Sequence, residues 1–148
     1  MRQRRKMILC IDDNAEVLKS LRFQLRQSLV KDIRIILAEG SEDALKTLEV
    51  LNLSRSDMLL IVSDWLMPNI NGEDLIKMIE QRWGPIMTIV LSGHITPEAK
   101  ARLSELDQVI SVMNKPWSGE ALAQLITQSL LPQTRRPLPT PSTSGGSL

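Results

Sequence analysis

The sequence contains very little cysteine, histidine and aromatic residue. Cys10 is the one cysteine and His94 the one histidine, and aromatic residues make up 3% of the chain, with no tyrosine. A single cysteine excludes an intramolecular disulfide bond and is compatible with a reducing cytoplasm, which is the location we expect. One cysteine and one histidine are also too few to build a zinc site from nitrogen and sulfur ligands.

The sequence also lacks a long apolar run and a strong excess of charge. No apolar run reaches the roughly 20 residues that a membrane-spanning helix needs. The short run after the basic start is interrupted by Asp12 and Asp13, so no secretory signal is predicted. The formal net charge of +1 gives no reason to expect nucleic acid or an anionic membrane as a partner.

The composition predicts one globular domain with a different segment at each end. Hydrophobic residues make up 43% of the chain, an ordinary value for a soluble domain. We assign the domain to residues 6–131 and a basic overhang to residues 1–5. Residues 132–148 are rich in Pro, Ser, Thr and Gly, which predicts a flexible tail or a truncated linker.

Five short apolar runs alternate with helical patterns along this domain. The runs are Met7–Ile11, Ile33–Leu37, Met58–Val62, Ile86–Leu91 and Val109–Met113. Apolar runs that do not alternate with polar residues are typical of strands buried on both faces, as in a parallel sheet covered by helices. Because the second run contains Arg34, it is the best candidate for an edge strand. The alternation predicts a doubly wound α/β domain.

Capping residues mark the starts of four of the predicted helices. The predicted capping residues are Asn14, Ser41, Thr96 and Ser118. Each has a side-chain oxygen that can accept a hydrogen bond from a free amide of the first turn. The proline after Thr96 favours a helix start there, because its fixed φ suits the first helical position.

Polar side chains follow four of the five runs. Asp12 and Asp13 end the first, Asp64 the third, Ser92 the fourth and Lys115 the fifth. In a parallel sheet these ends share one rim, where ligands bind. Three carboxylates at that rim would repel one another unless a cation intervened, and their hard oxygens favour Mg²⁺. Asp64 could then act as a nucleophile towards a phosphoryl group, with Lys115 compensating the charge on that group.

These motifs resemble those of response-regulator receiver domains. They are the Asp12-Asp13 pair, the stretch from Asp64 to Gly72 that includes Met67-Pro68, Ser92-Gly93 and Lys115-Pro116-Trp117. The resemblance covers roughly residues 6–131. It implies a (βα)5 flavodoxin-like fold with a five-stranded parallel sheet in the order 2-1-3-4-5.

The resemblance also implies a role for each site residue. Asp64 is similar to the phosphoacceptor, and the Mg²⁺ ligands would be Asp13, Asp64 and the Leu66 backbone carbonyl, with Asp12 acting mainly through a bound water.

On the other side of the phosphoryl group, Ser92 would bond a phosphoryl oxygen and Lys115 would pair with the group. The peptide bond before Pro116 would be cis, as in the family.

The implied function is a phosphorylation switch and not an enzyme, apart from its part in its own phosphorylation and autodephosphorylation. The phosphodonor would be a histidine kinase or a histidine phosphotransfer protein. The signal would pass to a downstream protein or to an output domain outside this sequence, and a homodimer is left open.

Three positions of this chain bear on how such a switch would work. Many receivers place Tyr or Phe three residues before the lysine, where this chain has Val112. This departure puts the usual output route through the fourth helix and fifth strand in question. Leu66 and His94 resemble the positions that tune dephosphorylation, and an apolar Leu66 would shield the acyl phosphate from water.

Three other functions would each require different residues at these positions. A degenerate receiver that serves only as a docking module would have lost the acids, the serine or the lysine, all of which are present. A hydrolase with an aspartyl nucleophile would place a second acid where this chain has Leu66. A flavin or nucleotide site would have a phosphate-binding loop where this chain has acidic residues.

Overall fold

A computed structural model describes residues 4–130 as an open sheet with helices on both faces. The strands are β1 (Lys6–Asp12), β2 (Ile33–Glu39), β3 (Met58–Asp64), β4 (Thr88–Ser92) and β5 (Val109–Asn114). The helices are α1 (Ala15–Ser28), α2 (Ser41–Leu51), α3 (Gly72–Trp83), α4 (Pro97–Ser104) and α5 (Gly119–Ser129). None of these helices is long and apolar enough to cross a membrane. The predicted tail at residues 132–148 lies outside the described residues.

The sheet is parallel with the strand order β2-β1-β3-β4-β5, which confirms the predicted fold. β2 lies at one edge, and its Arg34 side chain is exposed as expected. β1 and β3 are direct neighbours, with Cys10 opposite Val62 and Ile11 opposite Ser63. This register brings the carboxyl ends of the two central strands together.

The central strands are apolar throughout because both of their faces are buried. Ile8 and Cys10 face one core cluster, which also contains side chains of α1 and α5. Met7, Leu9 and Ile11 face the opposite cluster, which contains side chains of α2 and α3. Burial raises the pKa of the Cys10 thiol to about 12, so this cysteine is an inert part of the core.

Three of the predicted helix starts agree with the structure and one does not. Asn14, Thr96 and Ser118 each accept a hydrogen bond from a first-turn amide. The prediction for Ser41 was wrong, because Gly40 is the capping residue and Ser41 is the first helical residue. Gly40 has φ of +100°, a conformation that favours glycine.

Two further segments differ from the sequence prediction. β4 begins at Thr88 and not at Ile86. Before it, the Thr88 hydroxyl donates to the Ile86 carbonyl at 2.8 Å, and the Met87 carbonyl accepts from the Ile61 amide of β3 at 2.9 Å. Arg5, which was assigned to the basic overhang, forms two hydrogen bonds of 3.0 and 2.6 Å with the carboxylate of Asp57. The chain is therefore held to the fold one residue before β1 begins.

Candidate functional site

Three carboxylates converge at the carboxyl ends of β1 and β3. Asp12, Asp13 and Asp64 each offer an oxygen within 4.8 Å of the others. Asp12 and Asp64 are buried, whereas Asp13 is exposed. The amide of Asn14 donates to Asp12 Oδ1 at 2.9 Å, which fixes the orientation of that carboxylate at the start of α1. The pairing of β1 with β3 is the reason that residues 52 positions apart in the sequence meet here.

Lys115 supplies a positive charge to this cluster from the end of β5. Its Nζ lies 3.3 Å from Asp12 Oδ2 and 3.3 Å from Asp64 Oδ1. The backbone N–H of Lys115 donates to the Ser92 carbonyl at 2.8 Å, so the pairing of β4 with β5 extends to this residue. Because one ammonium faces three carboxylates, two negative charges remain uncompensated at this rim.

Burial and the charge imbalance together change the pKa of Asp64. Burial raises the pKa of its carboxyl above the usual range, and repulsion by Asp12 raises it further. Lys115 and a hydrogen bond from the Leu66 backbone oppose this change without cancelling it. A divalent cation near these oxygens would remove the repulsion, so the donor set fits a hard metal ion such as Mg²⁺.

Ser92 is fully buried at the end of β4, on the strand next to β3. Its Oγ accepts a hydrogen bond of 3.2 Å from the backbone amide of His94. The His94 side chain itself is exposed. The peptide bond between Lys115 and Pro116 is cis. The strand ends thus place the predicted serine and lysine on the β4–β5 side of Asp64.

The loop from β3 to α3 is held close to Asp64 by backbone contacts. The amide of Trp65 donates to the Leu91 carbonyl at 3.0 Å, and the amide of Gly72 donates to the Trp65 carbonyl at 2.8 Å. Leu66 lies between these bonds with 64% of its side chain exposed. Leu66, which is predicted to tune dephosphorylation, is therefore exposed to solvent two residues after Asp64, the candidate phosphoacceptor.

Ser41 forms a hydrogen bond to this loop that the sequence analysis did not predict. Its buried hydroxyl donates to the Ile70 carbonyl at 2.7 Å, which connects the start of α2 to the loop after Asp64. The only signal in the sequence is a hydroxyl at a helix start, and that signal also fits an ordinary cap. The partner is 29 residues away in the sequence, so the sequence pattern alone does not reveal it.

Val112 packs in a small cluster that also contains Trp65. The buried members of this cluster are Ile76, Val90 and Leu103, from α3, β4 and α4. The indole N–H of Trp65 is buried and has no hydrogen-bond partner among residues 4–130. The aromatic ring in this region thus comes from the residue after Asp64, while β5 contributes the smaller valine.

Comparison with protein families identifies one match over most of the chain. The model described as response regulator receiver domain matches residues 8–127. One similar curated protein is the hydrogenase transcriptional regulatory protein HoxA of Cupriavidus necator, which is 23% identical over 130 residues. The match covers 88% of this chain and 25% of that protein. The chain spans a quarter or less of the length of the curated relatives that it matches.

Solved structures show the same fold. A response regulator receiver protein from Pseudomonas putida has a TM-score of 0.71 and 26% identity, and the match covers 86% of this chain and 99% of that one. A receiver domain protein from Clostridium thermocellum has a TM-score of 0.70 and 24% identity, with 84% and 94% of the two chains covered.

Proposed function

The chain belongs to the response regulator receiver domain family, and we propose that it is a Mg²⁺-dependent switch phosphorylated on Asp64. Receiver domains of this family act as signalling switches and not as classical enzymes. The observation that carries the proposal is the proximity of the Asp64 carboxylate to two other carboxylates and to the Lys115 ammonium. A nucleophilic oxygen, a cation site and a fixed positive charge are the groups that phosphoryl transfer to a carboxylate requires.

The transfer is a displacement at phosphorus. An Asp64 carboxylate oxygen forms a bond to the phosphorus of a phosphohistidine on a kinase or phosphotransfer protein. The P–N bond breaks, the electron pair returns to the imidazole nitrogen, and an acyl phosphate remains on Asp64. Lys115, whose Nζ is already 3.3 Å from Asp64 Oδ1, would pair with a phosphoryl oxygen. The Ser92 hydroxyl would donate to another oxygen of the group.

Asp12, Asp13 and Asp64, with the Leu66 backbone carbonyl, would hold Mg²⁺, which when bound neutralises carboxylate charge and polarises the phosphoryl oxygens. Asp12 would contribute mainly through a bound water. Repulsion by Asp12, which raises the pKa of Asp64 in addition to the larger effect of burial, supports a cation here. Downstream, the phosphorylated domain would signal to a protein partner or to an output domain outside this sequence.

The test is phosphorylation of the full chain by acetyl phosphate, a small-molecule phosphodonor, followed by intact-mass measurement. We expect a phosphoryl adduct in the presence of Mg²⁺ and none without it. Asp64→Asn should form no adduct, whereas Asp74→Asn should react like wild type, because Asp74 is an exposed carboxylate of α3.

An adduct on Asp64→Asn would contradict the assignment of the phosphoacceptor. A folded wild-type protein that forms no adduct would instead support a docking module that acts without phosphorylation. The valine at position 112 is the feature of this chain that favours this second function.

Replacement of Leu66 by asparagine is expected to shorten the lifetime of the acyl phosphate. Leu66 is an exposed apolar side chain beside Asp64, whereas an amide there can orient an attacking water. One hydrogen bond to the attacking water, of about 1 kcal/mol, corresponds to an increase in the hydrolysis rate of up to about tenfold. The measurement is loss of the adduct with time after the phosphodonor is removed. Val50→Asn is the control, since Val50 is 84% exposed on α2. Equal lifetimes in all three proteins would exclude a shielding role for Leu66.

A further inference from the structure

We propose that Gln24 of α1 is a positioning residue for Lys115 and acts through Trp117; this inference rests on the phosphorylation function proposed above. The indole Nε1 of Trp117 donates to Gln24 Oε1 at 2.8 Å, across 93 residues of sequence. Trp117 lies two residues after Lys115 in the connection between β5 and α5. The bond therefore joins the segment that carries the lysine to the first helix of the domain.

Gln24 is well placed to fix this connection. Its neighbours Leu21 and Leu25 are buried in the core cluster against which the Trp117 ring also packs. The Gln24 side chain also lies against Gly119, the first residue of α5, where an added Cβ would be 3.0 Å from Gln24 Oε1 and 3.3 Å from Gln24 Cβ. Gln24 thus contacts the residues on both sides of Ser118 and spans the end of the connection.

The segment that carries Lys115 has few other side-chain contacts with the rest of the domain. Asn114, Pro116 and Ser118 are all exposed, and β5 is a half-buried edge strand. Within residues 4–130, the side-chain contacts that join residues 115–117 to another element are those of Lys115 with Asp12 and Asp64 and the Trp117–Gln24 bond. The Ser118 hydroxyl caps α5. The Lys115 side-chain contacts belong to the site itself. When Lys115 changes partners, the backbone bond from its N–H to the Ser92 carbonyl holds the start of the segment, and the Trp117–Gln24 bond holds the part that follows the lysine.

The position of Lys115 matters because its ammonium must meet two carboxylates at once. Its Nζ is 3.3 Å from both Asp12 Oδ2 and Asp64 Oδ1. A small shift of the connection would lengthen both contacts, and misplacement by about 1 Å can slow a reaction by a factor of the order of 100. Gln24 does not touch these groups, so its effect on the reaction is indirect and smaller.

Three variants of the full chain separate the hydrogen bond from the packing. Gln24→Met keeps the length of the side chain and removes the acceptor, whereas Gln24→Glu keeps an oxygen acceptor for the indole N–H. Trp117→Phe keeps an aromatic ring and removes the donor. We expect Gln24→Met and Trp117→Phe to slow phosphorylation by acetyl phosphate about fivefold each, the scale of one lost hydrogen bond. Gln24→Glu should react at the wild-type rate, and the double variant that combines Gln24→Met with Trp117→Phe should react no more slowly than either single variant.

A second readout does not depend on phosphoryl transfer. Lysine amines are labelled with a limiting amount of acetic anhydride, and the extent of labelling at each lysine is measured by peptide mass spectrometry. Lys115, which is 25% exposed and paired with two carboxylates, should become more reactive in Gln24→Met and Trp117→Phe. Exposed Lys100 of α4 is the internal reference.

Unchanged Lys115 labelling in both folded variants would overturn the inference, as would an equal loss of rate in Gln24→Glu. If labelling rises while the phosphorylation rates stay equal, the bond does not serve the reaction and the inference is also overturned. If wild type itself forms no adduct, the phosphoacceptor proposal fails, whereas labelling still decides whether Gln24 positions Lys115. Should Gln24→Met fail to fold, Trp117→Phe decides the same question.

Discussion

Gly72→Ala is expected to destabilise the domain and to impair phosphorylation of Asp64. Gly72 is the first residue of α3, where an added Cβ would lie 2.7 Å from the Asp64 carbonyl oxygen and 2.9 Å from Trp65 Cα. Both are backbone atoms, one of Asp64 itself and one of the next residue, so no side-chain rotation can relieve the overlap. The helix start and the loop must move apart, at a cost of about 1–3 kcal/mol in the free energy of unfolding.

Gly93→Ala is the matched control for this prediction. Gly93 follows β4 on the same rim, and a Cβ there would meet no atom within 4 Å. Its free energy of unfolding should stay within about 0.5 kcal/mol of wild type, as for most surface substitutions. Urea denaturation of the three proteins measures the difference. Equal midpoints for the two glycine variants would show that the loop accommodates the added methyl group.

The sequence predicted the central sheet and the acidic rim because the relevant signals are local. Strands buried on both faces must be apolar at successive positions, and Met7–Ile11 and Met58–Val62 satisfy this condition without any tertiary information. Asp12 follows the first of these runs directly, and Asp64 follows the other after Ser63. Parallel pairing then places both carboxylates at the same edge, whatever the details of the helices.

The contacts that support this rim were not predictable, because each joins segments that are distant in the sequence. Ser41 bonds to Ile70 and Trp117 to Gln24, and neither partner has a pattern that identifies it in advance. A hydroxyl at a helix start and an amide on a helix surface have many ordinary explanations. Only the packing of α1 against α5, and of α2 near the β3–α3 loop, selects the partner.

The position of Trp65 is a similar case. The sequence shows that β5 lacks an aromatic residue at Val112, but it does not show what fills the space beside it. In the structure Trp65 packs in the same cluster as Val112, together with residues of α3, β4 and α4. The large side chain therefore comes from the residue that follows β3, adjacent to the candidate phosphoacceptor.

Lys115→Met is expected to change phosphorylation and Mg²⁺ affinity in opposite directions. Methionine has a similar length and no charge, so the variant removes the ammonium that lies 3.3 Å from both Asp12 and Asp64. Loss of a fixed positive charge opposite the transferring group should slow phosphorylation by acetyl phosphate about 100-fold or more. The same loss leaves the three carboxylates without a compensating charge, so a divalent cation should bind more tightly.

The opposite signs separate an electrostatic role of Lys115 from a structural one. If the lysine mainly held the rim together, its loss would loosen the carboxylates and weaken both properties. The adduct rate is measured by intact mass, and Mg²⁺ binding by a fluorescence titration that uses Trp65, the residue next to Asp64. Lys100→Met serves as the control, since Lys100 is exposed on α4 and should leave both values unchanged. The balance of charge at this rim therefore sets two requirements: enough negative charge to hold Mg²⁺, and one positive charge placed to receive the phosphoryl group. A joint decrease in rate and Mg²⁺ affinity would show that the position of the carboxylates, and not the charge of Lys115, limits the reaction.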